Sequence, residues 1–562
     1  MESEKRVLAA FVLSLLILIL WRVVLFKQPL APPQSVKTFP KAAGKSPSTA
    51  AEKKEVLKPV ALPVEEGTQA AEITVESKFY RVTFSTQGAV VKSWVLRKFK
   101  DENGKPLDVV NREACAELGY PMSLSLPNNS LAKNLNEAIY VATPAVGPLK
   151  APVTVQFVYS NGKVEVQKQF SFGLGYEVRA KVRMFNGQHS VPVAVAWPGG
   201  VGDHSLPIAL QSATSEAVYD TGRNLETVSQ SKVTKRRLVS PPLSFAGLED
   251  RYFAGIFIPD SPHPSFQFLR EPWVPAGWTG KKRPETLVGL WGNSQGGTLD
   301  FGLFVAPKQL DVLDTTQPPL GALVDFGWFS FIAKPLFLAM HFIYDHWVHN
   351  YGWAIVILTV LINMLLFPLK LKAIRSAQEM QRIMPHMKAI QDRYKQYKFN
   401  DPRKQKMNQE VMKLYHEHGI NPLGGCIPMV LQLPILYGFY ETLETPIELR
   451  RAPWILWIKD LSMPDHSHLL GLPIPILPTI MIVTMFLMTK MTPMAVTDPS
   501  QKRMMMLMPL IFGLMFYRFA SGLVLYFLTA NLVGIAQQVF INRFFTPKKP
   551  PLGAPKAALG KA

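Results

Sequence analysis

Apolar runs long enough to cross a bilayer constrain this chain most, because a hydrocarbon core of about 30 Å demands about 20 apolar residues per helical span. The first, Val7 to Phe26 (VLAAFVLSLLILILWRVVLF), is interrupted only by Ser14 and Arg22. It is longer than the apolar part of a cleaved signal peptide, and Trp21, Arg22 and Phe26 stand where cleavage needs small residues. Residues 1–26 are therefore expected to form a retained transmembrane anchor. Trp353 to Leu369, Leu423 to about Tyr440, Leu472 to Thr489 and Met504 to about Ile541 are further apolar stretches. The last is too long for one span, and Ala520-Ser521-Gly522 offers a turn that divides it. Six spans are expected, five of them beyond residue 350.

The remainder reads differently. Residues 27–71, rich in Pro, Ala, Lys and Glu without apolar periodicity, read as a flexible linker. Over 72–327 short alternating runs follow, among them Tyr80–Phe84, Val153–Tyr159, Val164–Phe172 and Tyr176–Phe185. Asn161-Gly162 between two of them supplies the backbone angles of a tight hairpin turn. An all-β sandwich follows, attached to an α-helical polytopic membrane protein. Residues 328–349 mix aromatics with Lys334, His341, Asp345 and His346, which suits an interfacial amphipathic helix. Residues 370–421 are polar and carry Arg382, Lys388, Arg393 and Lys395. Within them Asp401 can cap a helix that starts at Pro402 and closes at Gly419, giving a helical hairpin.

Charge sets the orientation. The net charge of +20 is concentrated: residues 370–417 hold 12 basic and 5 acidic side chains, and the tail after Phe540 has 5 basic and none acidic. Residues 441–465 reverse the balance, with 3 basic and 5 acidic. By the positive-inside rule the hairpin, the basic tail 546–562 and both termini are cytoplasmic. Residues 27–327 then lie across the membrane, in the periplasm of a Gram-negative cell whose inner membrane holds the spans. The basic clusters sit where topology needs them, so specific nucleic-acid recognition is not expected. Cys115 and Cys426 fall in separate regions and support neither a disulfide framework nor a metal centre.

No Walker A loop, HExxH, GxSxG or spaced cysteine set appears, so no enzyme activity, catalytic residue, metal or cofactor is expected. His416-Glu417-His418 reads as the solvated end of a helix. More informative are polar residues inside apolar helices, which tend to face protein or water. Thr359 and Asn363 are four apart and share a helix face; Gln432 lies well inside the next span; Tyr526, Thr529 and Asn531 punctuate the last. Simple interhelical hydrogen bonding also accounts for each singly. A polytopic solute transporter or channel would carry such residues too, but internal repeats and paired midplane charges are missing from the sequence.

Asn421-Pro422-Leu423-Gly424-Gly425-Cys426, Gln432-Leu433-Pro434-Ile435, Thr497-Asp498-Pro499 and Ser521-Gly522-Leu523-Val524-Leu525-Tyr526, with Asn531 and Gln537-Gln538, resemble in order the pattern of the bacterial YidC membrane protein insertase family. The resemblance covers about residues 328–545, and the anchor and large β domain are similar to its Gram-negative form. It implies a core over 350–545 whose five helices enclose a polar groove, open to cytoplasm and lipid and closed toward the periplasm. Nascent and newly made membrane proteins would be received by the hairpin and inserted or folded, alone or with the Sec translocon, with basic cytoplasmic segments meeting the ribosome. The sandwich resembles a carbohydrate-binding type, from which no sugar function follows. One position departs from the pattern: Asn363 stands where the family places a groove arginine. Arg518 lies near the 520–522 turn, and Lys370, seven residues on, is expected to reach only the groove's cytoplasmic mouth. The expectation is a groove that works by hydration more than by charge, driven by burial of the client's apolar span and, for acidic tails, by the membrane potential.

Overall fold

The computed structural model describes residues 63–145, 147–205, 216–222, 224–229, 232–233, 236–239, 242–260, 265–273, 285–293, 297–397, 401–419, 427–467, 474–492 and 499–544. The expected anchor 1–26, most of the linker, the tail 546–562, the Asn421–Cys426 motif and Thr497-Asp498 lie outside the described residues.

Alternating residues build the β domain because one face of each strand meets core and the other meets water. Val164–Phe172 shows this directly: positions 164, 166, 168, 170 and 172 are buried and those between are not. It pairs antiparallel with Val153–Asn161, and between them Gly162 takes a φ of +83° while Asn161 Oδ1 accepts the N–H of Val164 at 2.8 Å. These strands belong to an 11-stranded sheet, and two five-stranded sheets pack on it. Phe84 of one lies 4.8 Å from Phe170, Phe266 of the other 6.2 Å from Phe257, and Trp94 and Trp197 join the two smaller sheets at 6.4 Å. The architecture is β-rich rather than all-β: Asn111 caps helix α1 (Arg112–Leu118) and Asn128 caps α2 (Asn129–Glu137), each through its side-chain oxygen. A further short turn, α3 (Leu310–Leu313), follows the last strand.

The linker expected over 27–71 ends too late. Val64–Glu65 already pairs with Val153–Asn161, and Gly67 N–H donates to Ile139 O at 2.9 Å. The free edge of that strand offers backbone partners which a Val-Glu pair satisfies despite the segment's linker-like composition.

Beyond the sandwich lie eight helices among the described residues: α4 (Ser330–Ile343), α5 (Tyr351–Leu365), α6 (Phe367–Arg393), α7 (Pro402–Glu417), α8 (Ile427–Glu444), α9 (Ile476–Met491), α10 (Pro499–Phe516) and α11 (Ser521–Phe544). Helix α4 buries Ala333, Phe337, Met340 and Ile343 and exposes Phe331, Leu338 and Phe342. A π turn and a left-handed His349 (φ +46°) end its run, and α5 leaves at 116°. The stretch expected to span continuously to Leu369 breaks at Leu366, because Pro368 near the start of α6 has no N–H to continue the helix. Helices α6 and α7 form the hairpin: Ile383, Met387, Ile390 and Leu414 make a small core, and Asp401 accepts the N–H of Arg403 at 2.9 Å.

By length and composition one described helix, α11, is apolar enough to cross a membrane alone; the α4–α5 stretch passes only as a bent pair, and α9 and residues 503–516 are shorter apolar helices.

Candidate functional site

Helix α11 organises the helical region. Its inward residues are almost all buried, including Tyr526, Thr529, Asn531, Gln537 and Gln538. A residue every 100° places 526, 529 and 537 on nearby faces and 531 on the far side. The contacts follow that geometry. Gln432 on α8 donates Nε2 to the Tyr526 hydroxyl at 3.4 Å, and Phe439 stacks on the Tyr526 ring at 4.3 Å. Asn531 turns instead to α9, where its Nδ2 donates to Thr484 Oγ1 at 3.4 Å. Thr529 Oγ1 donates to the Leu525 carbonyl of its own helix at 2.8 Å.

The third contact lies toward the end of α5. Thr359 is fully buried and donates to Ile355 O at 2.6 Å, and Asn363 Nδ2 donates to Thr359 O at 2.8 Å. Gln537 Nε2 donates to the Asn363 carbonyl at 3.0 Å, tying α11 to α5. Gln537 Oε1 is buried without a hydrogen-bond partner among the described residues. Lys370 completes the cluster: its Nζ donates to Asn363 Oδ1 at 2.5 Å.

That bond corrects the expectation for Lys370. Seven residues are close to two full turns, so Asn363 and Lys370 share a face although α5 and α6 are interrupted between them. Side chains on a helix lean toward its N-terminus, and the lysine stem spans the remaining distance back to the amide. Lys370 Nζ therefore rests on the Asn363 amide and not at a distant mouth.

The structure thus sorts the expected residues into three places. Thr359 and Asn363 stand together, Gln432 and Tyr526 form a second pair, and Asn531 faces elsewhere with Thr529 bonded to its own backbone. Sequence reasoning missed Gln537 as a contact and undervalued Lys370; their spacings on α11 and from Asn363 were the available signals. On the hairpin, Arg393 pairs with Glu410 at 3.2 Å, and Tyr394 donates to the same carboxylate at 2.6 Å. Lys388 and Lys395 lie exposed on its surface, and Arg382 lies on the same long helix α6.

Two family models match: "60Kd inner membrane protein" over residues 342–549 and "YidC periplasmic domain" over residues 72–339. A "Membrane protein insertase YidC" of Syntrophus aciditrophicus is 33% identical, with 96% of this chain and 99% of the relative covered. One of Pelobacter propionicus is 32% identical over the same shares. A crystal structure titled as an active YidC insertase with its first transmembrane domain resolved is 21% identical, with a TM-score of 0.34 over 87% of this chain and 95% of that one. The insertase names displace the transporter or channel alternative. The chain belongs to the YidC family of membrane protein insertases.

Proposed function

We propose that client segments pass along the cluster built by Thr359, Asn363, Lys370 and Gln537, with Gln432 and Tyr526 continuing the polar path. The observation that carries this reading is the Lys370–Asn363 bond, which fixes an ammonium beside a buried amide. A hydrophilic tail entering there exchanges hydration for the Lys370 ammonium, the Asn363 and Gln432 amides and the free Gln537 Oε1. The hydrocarbon path is shortened while the client's apolar span moves into lipid, and no nucleotide is consumed. An acidic tail gains most, because a partly buried cation attracts carboxylate more strongly than an exposed one does.

In this reading α5, α8, α9, α10 and α11 are the five core spans and residues 1–26 the sixth. The interfacial helix, periplasmic sandwich and cytoplasmic hairpin keep the sides assigned by charge. The hairpin, with Arg382, Lys388, Arg393 and Lys395 on α6 and its end, receives clients, and the basic tail and hairpin meet the ribosome. Cooperation with the Sec translocon belongs to the same proposal.

The test is reconstitution of the purified chain in liposomes with protease protection of small clients whose tails differ only in charge. Lys370→Met is expected to lower insertion of an acidic-tailed client about tenfold, the equivalent of about 1.4 kcal/mol, and that of a neutral polar tail much less. Asn363→Leu is expected to impair both. Equal insertion of every client by both variants would sink the proposal.

A further inference from the structure

Arg450, in the segment that follows α8, reaches across to the β domain. Its guanidinium pairs with Asp203, with only 5% and 1% of the two side chains exposed, and also donates to Lys100 O at 3.0 Å. Asp203 is itself held from behind, since its N–H donates to Asp250 Oδ2 at 3.0 Å and its Oδ1 accepts Ser205 Oγ at 2.6 Å. Two neighbouring links run in parallel. Arg451 Nη1 donates to Asp101 O at 2.5 Å, and Arg251 pairs with Glu444 while its Nε donates to the Glu444 carbonyl at the end of α8 at 2.9 Å.

The same 445–467 segment grips the helices on its other side. Met463 O and Leu461 O each accept, at 2.8 Å, an N–H from Ser521 and Gly522 at the start of α11. Asp465 Oδ2 accepts Leu477 N–H at the start of α9 at 2.8 Å. Pro453 O accepts Asn350 Nδ2 at the cap of α5 at 3.0 Å, and a Cβ on Gly352 would meet Trp454 Cδ1 at 2.2 Å, so that helix start lies flat against the segment. One stretch of chain therefore accepts the otherwise orphaned first-turn N–H groups of α9 and α11 and holds the capping side chain of α5, and α5 and α11 carry the polar cluster.

We infer that Arg450 is a positioning residue: by locking the 445–467 segment to the β domain, it fixes where α5, α9 and α11 begin, so the sandwich braces the helical core. A buried guanidinium left without its carboxylate is costly, which makes the lock close to all-or-none. Only the insertion part of the test below rests on the proposed path through the cluster.

Hydrogen exchange of the full chain in lipid nanodiscs tests the brace. Arg450→Ala is expected to speed exchange at the amides of Leu477, Ser521 and Gly522 by about tenfold or more while leaving strand 164–172 unchanged. Asp203→Ala should do the same, the double variant should be no worse than either, and Arg450→Lys should recover part of the protection. Unchanged exchange at the three helix starts in Arg450→Ala overturns the proposal. So does equal loosening of strand 164–172 in Arg450→Ala and in the milder Arg251→Gln, which signals general unfolding. Insertion of a hydrophilic-tailed client should fall in Arg450→Ala; normal insertion with loosened helix starts removes the link to the polar path and leaves the brace standing.

Discussion

The two halves of the molecule bury opposite things. Among the described residues of the β domain, large apolar side chains are inside, and the exposed ones are scattered singly: Val64, Val141, Leu174 and Leu238. From Trp328 onward the pattern inverts. Leu507, Leu510, Ile511, Leu514 and Met515 on α10 and Val483, Phe486 and Leu487 on α9 point outward, while Thr359, Asn363, Gln537 and Gln538 point in. Water explains the first arrangement, and in the proposed membrane core hydrocarbon accounts for the second, because in lipid an outward Leu costs nothing and an outward amide does. The polar groups differ in kind as well. Among its described residues the β domain fully buries one lysine, Lys168, on the core face, donating to Gly88 O and Met122 O at 2.7 Å and Ala89 O at 3.3 Å. The polar cluster of the helical region bonds its amides and hydroxyls to backbone and to one another, with Lys370 at its edge.

The largest expected effect removes the fully buried Lys168 side chain from the β domain. Lys168→Ala strands three carbonyls and leaves a cavity, so chemical denaturation of the β domain should show a loss of about 4 kcal/mol. A change below about 1 kcal/mol would mean the ammonium contributes nothing. Next is a matched pair of aspartates. Ile511→Asp should cost about 3 kcal/mol of membrane integration, read by carbonate extraction, whereas Leu174→Asp, on a residue still more exposed, should change stability by less than about 0.5 kcal/mol. Similar outcomes at both sites would erase the contrast between water and lipid.

The gentlest effect is one of pH, at most about 1.4 kcal/mol for each pH unit. Burial pushes the Lys168 amine down from 10.5 to about 7, so between those values the unfolded chain binds more protons than the folded one. Stability of the β domain should therefore rise as pH is raised from about 7 toward 10.5 and fall as it is lowered, a slope missing from Lys168→Met. A flat melting profile of the natural chain over that window would contradict the assignment.

What could be read from sequence follows the same division. Local chemistry was legible: Asn161-Gly162 makes its hairpin and Asp401-Pro402 starts its helix because each signal acts within a few residues. Strand alternation was legible because water marks one face. Lys168 falls on the buried parity of VEVQKQFSF, but the carbonyls that accept it come from residues 46 to 80 positions away, which no local pattern announces. In the helices apolar residues face both ways, so the sequence shows which residues are polar without showing which meet. Gln432 and Tyr526 are 94 residues apart, and Arg450 and Asp203 are 247 apart. Asn363 and Lys370 are the exception: their seven-residue spacing puts them on one face, and the lean of the lysine side chain, more than the distance along the axis, decides that they meet.

The central claim is that clients travel past the Asn363–Lys370–Gln537 face and not past Asn531. A photo-crosslinking residue placed in turn at 432, 537, 531 and 484, with an acidic-tailed client stalled during insertion, tests it directly. The account predicts adducts to the client tail from 432 and 537, weakened in Lys370→Met, and little from 531 or 484. Equal adducts from all four positions, or stronger ones from 531, would contradict it.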